Sequence, residues 1–372
     1  MSVTVFTMTH KKFPTPGDPI YVPLQVGRAK ASDLGYIGDD TGVSISEKNC
    51  YYGELTGVYW VWKNIKTSDY VGICHYRRYF CTEEGRILTG KEYEEILSAH
   101  DIITSKLLKL NFSYYDGYAS DYNIHDLDAV GEVIRQFYPE YSGTFERLVH
   151  GKGTYFGNMM VCKKEIYDAY CEWLFGIFEK AEKRIDASGY DDYHKRVYGF
   201  ISEFLLYVWT QVQGLKVYEC KVGMTDEKRE TAEIKGRLAD YFAKKDIAGA
   251  KEYILSCLEK RPDVLMEASD ITGELKLSMQ VIAVCELEKE AYGSSTIDRI
   301  QEFGALMEHF RKLNDLVIAF QKGETDTFSA PEVEFYLQNA DITDIALEAS
   351  ARLFGTPQEA REAVHRIREF VG

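Results

Sequence analysis

Val3 to Met8 alternates Val and Phe with Thr, the period of two that a half-buried strand requires, and runs directly into Thr9-His10-Lys11-Lys12. A second apolar run, Val71-Gly72-Ile73-Cys74, follows Asp69 and discharges into His75-Tyr76-Arg77-Arg78. Such runs read as buried strands whose C-terminal ends open at the surface, where open α/β sheets hold their ligands. Between them Tyr51, Leu55, Val58, Tyr59 and Trp62 recur at three and four. This predicts a helix that starts from an N-cap at Ser46, reaches about Lys63 and keeps Glu54 and Lys63 on its solvated side. Residues 13 to 34 hold Pro14, Pro16, Pro19 and Pro23 and are expected to be loop-rich.

The pattern continues with a short strand at 100–104, an aromatic and polar loop from Asn111 to Asn123, and a helix from His125 to Phe137 stopped by Pro139. A glycine-rich approach from Gly151 leads to a strand carrying Asn158, and helices follow at about 165–184 and 197–213. In the last of these Phe204, Leu205, Val208 and Val212 form one face and Glu203 lies off it, which leaves it either lining a cleft or solvated. Beyond Thr225 the spacing is helical throughout, near 230–243, 246–260, 275–292, 296–321, 331–339, 341–354 and 357–370. Thr356-Pro357-Gln358-Glu359 is a capping box with proline at the first helical position. No fixed-period repeat stands out in this half.

Composition changes at the same place. All four Trp lie before Met224, as do all of the 27 Tyr except Tyr241, Tyr253, Tyr292 and Tyr336. A chain of 372 residues exceeds one ordinary core, so two domains are expected, 1–224 and 225–372, the second all-α. The formal charge of −15 argues against wrapping nucleic acid or binding anionic lipid through a polybasic patch. No apolar run reaches bilayer length and the first residues lack a secretory pattern, so a cytoplasmic protein is expected. The eight Cys are scattered without a Cys-x-x-Cys pair and read as reduced, buried small hydrophobes.

Against that acidic background the local cations gain weight. Arginine presents a planar fork of donors that pairs bidentately with phosphate oxygens, so Arg77 and Arg78 suit a nucleotide diphosphate. A surface ion pair with a core histidine is the plain alternative. Thr9, His10 and Lys11, at the end of the first strand, sit where a nucleotide docks, or form a solvated loop. Asp39 and Asp40, between Gly38 and Gly42, suit a divalent metal or a sugar hydroxyl, and equally an ordinary turn. Tyr114, Tyr115, Asp116, Tyr118 and Tyr122 combine rings with polar groups in the way sugars are held. The segment before Asn158 lacks the Gly-Lys-Ser/Thr ending of a P-loop, which disfavours nucleotide triphosphate hydrolysis.

Several of these segments, in this order, resemble a family of bacterial capsule and exopolysaccharide glycosyltransferases long catalogued as a domain of unknown function. They are Thr9-His10-Lys11, Tyr21-Val22-Pro23, Leu34 to Gly42, Ile45 to Lys63, Cys74 to Phe80, Asn158-Met159, Tyr170 to Phe175, and Ser202-Glu203 before Trp209. The resemblance covers residues 1 to about 224 and implies an α/β, GT-A-like nucleotide-sugar-binding domain with a mostly parallel central sheet. It further implies inverting transfer from a UDP-sugar, UDP-galactofuranose or UDP-galactose among them, to a glycan or lipid-linked glycan in capsular, exopolysaccharide or O-antigen synthesis. Peripheral contact with the inner membrane face fits that role. The family pattern has Arg after the glutamate, where this chain has Phe204.

On this reading Glu203 leads the candidates for catalytic base, with Asp39 and Asp116 behind it. Thr9, His10, Lys11, Asp40, His75, Arg77, Arg78 and Asn158 are the candidate nucleotide-sugar ligands. Where GT-A enzymes place a metal-binding carboxylate pair, this chain has His75, Arg77 and Arg78. Two expectations therefore stand: fixed cations replace the metal, or Mn²⁺ or Mg²⁺ binds at Asp39 and Asp40. A non-catalytic nucleotide- or carbohydrate-binding module of a polysaccharide assembly complex is the alternative. A glycoside hydrolase, which would need facing carboxylates drawn from Asp116, Asp191 and Glu203, is weaker. The helical half is expected to serve homo-oligomerisation or partner docking.

Overall fold

The computed structural model describes residues 2–265, 269–326 and 328–372. The chain forms two compact units, Met1–Thr225 and Asp226–Gly372. The strands of the first are β1 (Val3–Thr9), β2 (Tyr21–Gln25), β3 (Ile37–Gly38), β4 (Tyr70–His75), β5 (Arg78–Cys81), β6 (Ile102–Ser105), β7 (Leu108–Lys109), β8 (Gly153–Thr154), β9 (Met160–Lys163) and β10 (Val217–Met224). Its helices are α1 (Asn49–Tyr52), α2 (Leu55–Asn64), α3 (Gly90–Leu97), α4 (Tyr114–Asp121), α5 (Ile124–Phe137), α6 (Pro139–Val149), α7 (Lys164–Ala181) and α8 (Val197–Gln213).

The central sheet is mixed, which corrects the expectation of a mostly parallel one. β3, β2, β1 and β4 are parallel neighbours. β9 then inserts antiparallel to both β4 and β6, β10 lies parallel to β6, and β5 runs antiparallel to β10. The physical cause is local. The chain leaving β4 turns back at once through Tyr76 and Arg77, so His75 pairs with Arg78 and the run of cations is a tight hairpin rather than an open strand end. Such a hairpin can only be antiparallel. Alternate residues feed two cores: Phe6, Ile73, Ile102 and Cys162 face α2 and α5–α8, while Val5, Cys74, Ile103 and Val161 face α3.

Three local readings also change. Asn111–Asn123 is not a loop: Ser113 accepts the Asp116 N–H and starts α4. Pro139 does not simply end a helix but opens α6, where its missing N–H costs nothing. The helix read from Ser46 is broken at Gly53, whose φ of 56° and ψ of −131° separate α1 from α2 and leave Glu54 at the start of a new helix.

The second unit contains α9 (Arg229–Ala243), α10 (Ile247–Lys260), α11 (Glu274–Tyr292), α12 (Thr296–Arg299), α13 (Phe303–Lys322), α14 (Ala330–Asn339), α15 (Asp344–Arg352) and α16 (Pro357–Val371) around its own core. The expected 296–321 helix is two, because Glu302 accepts the N–H groups of Gly304 and Ala305 and caps a fresh start. The Thr356–Glu359 capping box is present. No described helix is long and apolar enough to cross a membrane.

Candidate functional site

The site is built where β1 and β4 end. Thr9 Oγ1 accepts the Lys11 N–H at 3.1 Å and donates to the Lys11 carbonyl, a local turn that fixes the basic residue after β1. The Tyr76 ring, in the hairpin turn, gathers the neighbouring cations. Lys11 Nζ lies 5.0 Å and Arg77 Cζ 5.3 Å from its centroid, and the His10 ring meets it edge-on at 5.3 Å. Arg77 is 9% exposed, and its Nη1 is buried with no hydrogen-bond partner among the described residues. A guanidinium nitrogen removed from water without an acceptor is costly, so this group calls for a further acceptor, a role that a phosphate oxygen suits.

On the other side of the hairpin lie two carboxylates. Glu203 Oε1, on α8, accepts the Gly157 N–H at 3.0 Å. Glu54 Oε1, at the start of α2, accepts from Asn158 Nδ2 at 2.7 Å, and its Oε2 faces Arg196 at 3.8 Å. His75 Nε2 bonds the Gly157 carbonyl, which only accepts, so the proton is on Nε2. Gly157 has φ of 92°, and a Cβ there would stand 3.2 Å from Arg78 Nη1, so the turn lies hard against that guanidinium.

Electrostatics separate these groups. Burial pushes the Glu203 carboxyl up to about 8, with the negative charge of Glu54 adding to it and Arg78, the Gly157 N–H and Arg196 pulling back. Burial also opposes ionisation of Glu54, but His75, Arg196 and the Asn158 amide outweigh it and hold this carboxyl below the usual range. Burial pushes His75 down to about 4 despite the pull of Glu54, so it is neutral near pH 7. Arg78 is also shifted downward by burial, against the favourable charges of Glu203 and Glu54. The Tyr114 hydroxyl is pushed up by burial and by Glu203. Its ring stacks on Phe204 at 4.2 Å. Phe204 is therefore core, and the cations acting on Glu203 come from Arg78 and Arg196 instead.

Thr9, His10, Lys11, His75, Arg77, Arg78, Asn158 and Glu203 thus converge on the ends of β1 and β4 and the turn before β9. The remaining candidates lie elsewhere in the bonding. Asp39 is fully buried and accepts from the Gly27 and Arg28 N–H groups at 2.8 and 3.2 Å and from the Ser46 hydroxyl at 2.5 Å. Asp40 pairs with Arg28 Nε at 2.6 Å. Asp116 is exposed and bonds Ser113 at the start of α4. Both Asp39 oxygens thus serve protein donors, whereas Asp40 uses Oδ1 for Arg28. Among the described residues no group of three or more His, Cys, Asp or Glu is placed to hold a metal ion.

Glu54 and Arg196 belong to the cluster although their positions carry no periodic signal. The one available clue to Glu54 is the glycine before it, which ends one helix and restarts another.

The structure is similar to the apo structure of WbbM, a bifunctional glycosyltransferase, with a TM-score of 0.55 and 32% sequence identity. The match covers 61% of this chain and 46% of the WbbM chain, so this protein spans about half the length of that one. No curated protein matches. A family described as a domain of unknown function, DUF4422, matches residues 4–214. That segment is more than half of the chain and contains every residue of the cluster, and the protein belongs to the DUF4422 family.

Proposed function

We propose that the first unit transfers a sugar from a UDP-sugar to a glycan acceptor, with inversion. The observation that carries this reading is a hairpin with two arginines: Arg77 has a buried guanidinium nitrogen without a partner among the described residues, and Arg78 acts on the Glu203 carboxyl, whose proton affinity is raised to about 8. The likeness to a glycosyltransferase supports it. In the proposed step the acceptor oxygen bonds the anomeric carbon as the bond from that carbon to the diphosphate oxygen breaks. Glu203 takes the acceptor hydroxyl proton, while Arg77, Arg78 and Lys11 stabilise the departing diphosphate. Fixed cations supply here the charge that a divalent metal supplies in other transferases.

The test is UDP release from a panel of UDP-sugars, UDP-galactofuranose and UDP-galactose first, with surface-polysaccharide glycans as acceptors. Release that needs both donor and acceptor and persists in EDTA is expected. Binding of UDP without turnover on any pair would favour the non-catalytic alternative, and loss in EDTA would overturn the metal-free step. Arg77→Ala should weaken UDP affinity by roughly tenfold or more, since a charge-assisted hydrogen bond contributes about 1.5–3 kcal/mol. Unchanged affinity by calorimetry would remove Arg77 from the phosphate site.

A further inference from the structure

The side-chain amide of Asn158 has no N–H left to donate to a ligand. Both Nδ2 protons are engaged, on Glu54 Oε1 at 2.7 Å and on the Gly199 carbonyl at 3.0 Å, and Oδ1 accepts the Ser202 hydroxyl at 2.8 Å. Its backbone holds φ at 48°, in the left-handed region that residues other than glycine seldom occupy. The residue before it, Gly157, gives its N–H to Glu203 and takes the His75 proton on its carbonyl. Two consecutive residues therefore grip both carboxylates and the imidazole. A nucleotide sugar that needed the Asn158 amide as a donor would first have to break protein hydrogen bonds.

Building on the transfer reading of this same site, we propose that Glu54 is a positioning residue that tunes Glu203, and that Asn158 orients Glu54 instead of touching the nucleotide sugar. Glu54 Oε1 is fixed by Asn158, and Arg196 lies on its Oε2 side. Gly157 holds Glu203 and Asn158 holds Glu54, so consecutive residues tie the two carboxylates to one turn, and the Glu54 charge makes the Glu203 proton harder to remove. Arg78 and Arg196 oppose this from the hairpin and from the start of α8. The Glu203 charge also acts on the Tyr114 and Tyr122 hydroxyls, on α4 and its C-cap, each shifted upward by burial first, and both remain protonated through neutral pH. His75 is neutral there.

The test is a carbon-detected carboxyl NMR titration of Glu203 in the full chain without substrate, so it reads the pair whether or not transfer is observed. In Glu54→Gln the Glu203 midpoint should fall from near 8 by about one pH unit or more, as expected when an adjacent like charge is removed. In Asn158→Gly, which keeps the left-handed backbone and removes only the amide, the midpoint should move the same way by less. UDP affinity by calorimetry should stay within about threefold of the parent, well short of losing one good hydrogen bond. A Glu203 midpoint unmoved in both variants overturns the role of Glu54. A tenfold or greater loss of UDP affinity in a folded Asn158→Gly overturns the positioning role of Asn158. If transfer is observed, the acid limb of kcat/KM should move with the NMR midpoint. If no donor is turned over while the midpoint still shifts, the transfer reading fails and the coupling of the carboxylates stands.

Discussion

At the scale of the residue, Glu203 ties the site to pH. With its carboxyl near 8 when folded against an ordinary value of 4.5, the folded chain keeps a proton between those two pH values that the unfolded chain has lost. The contribution of this group to stability is therefore full below about 4.5 and declines as pH rises toward 8. Replacement by Gln keeps the shape, removes the charge and leaves an amide NH₂ in place of one carboxyl oxygen. The melting temperature of Glu203→Gln relative to the parent should accordingly rise between pH 5 and pH 8.5, measured by calorimetry or circular dichroism at matched ionic strength. Turnover should behave in the opposite sense. In the parent, kcat/KM should climb with pH and level off above about 8, because only the ionised form accepts the acceptor proton. Glu203→Gln should lower kcat by about 10² or more with UDP affinity nearly unchanged. Near-parental turnover in that variant would rule out Glu203 as the base.

At the scale of the element, what positions the site is a set of breaks in regular structure. The β4–β5 hairpin puts Arg78 opposite His75, the Gly157–Asn158 turn precedes β9, and Gly53 ends α1 so that Glu54 begins α2. This explains which parts of the site are legible in the sequence. Val3 to Met8 and Val71 to Cys74 announce themselves by apolar runs, and the cations that follow them are read with them. The phase of Glu203 relative to Phe204, Leu205 and Val208 sets it off their stripe, but α8 is buried on nearly all sides, so phase alone does not separate a cleft from solvent. Glu54 has no such neighbour on the correct phase, because periodicity is lost across Gly53 and a helix drawn through the break puts the carboxylate on the wrong face. The mixed sheet is hidden for a related reason: β9 and β5 are four residues each, too short for alternation to show direction or partner. Gly53→Ala tests the importance of one break. A Cβ there has room, the nearest atom being Arg196 Nε at 3.6 Å, so the penalty is in the backbone, where a non-glycine residue at such angles costs about 1–3 kcal/mol. Denaturant unfolding of the variant should show a loss of that order together with reduced turnover as Glu54 is displaced. Unchanged stability would mean that the α1–α2 junction tolerates an ordinary helix.

At the scale of the whole molecule, the boundary of the family match and the boundary of the folded unit are different places. The match ends at residue 214, whereas the first compact unit runs to Thr225. The intervening strand β10 pairs with β6 on one side and with β5 on the other, and Met224 stands opposite Arg78. Thr225 then donates its N–H to the Arg77 carbonyl at 3.0 Å. The strand outside the match thus holds the outer edge of the hairpin that carries both arginines. Each unit also has its own apolar core, drawn from residues 3–220 in one and 234–367 in the other. Domains with independent cores fold alone when the cut leaves every strand paired. Two truncations should therefore behave differently. A chain ending at Thr225 should be soluble and cooperative and should bind UDP with the affinity of the full protein. A chain ending at Gly214 loses β10, leaves the β5 and β6 edges unpaired, and should aggregate or bind UDP at least tenfold more weakly, since two hairpin cations lose their support. Calorimetry on both, with size exclusion to establish their state, decides the matter. Equal UDP affinity in two folded truncations would show that β10 does not support the arginines, and loss of binding in a folded 1–225 chain would show that the first unit does not bind UDP by itself.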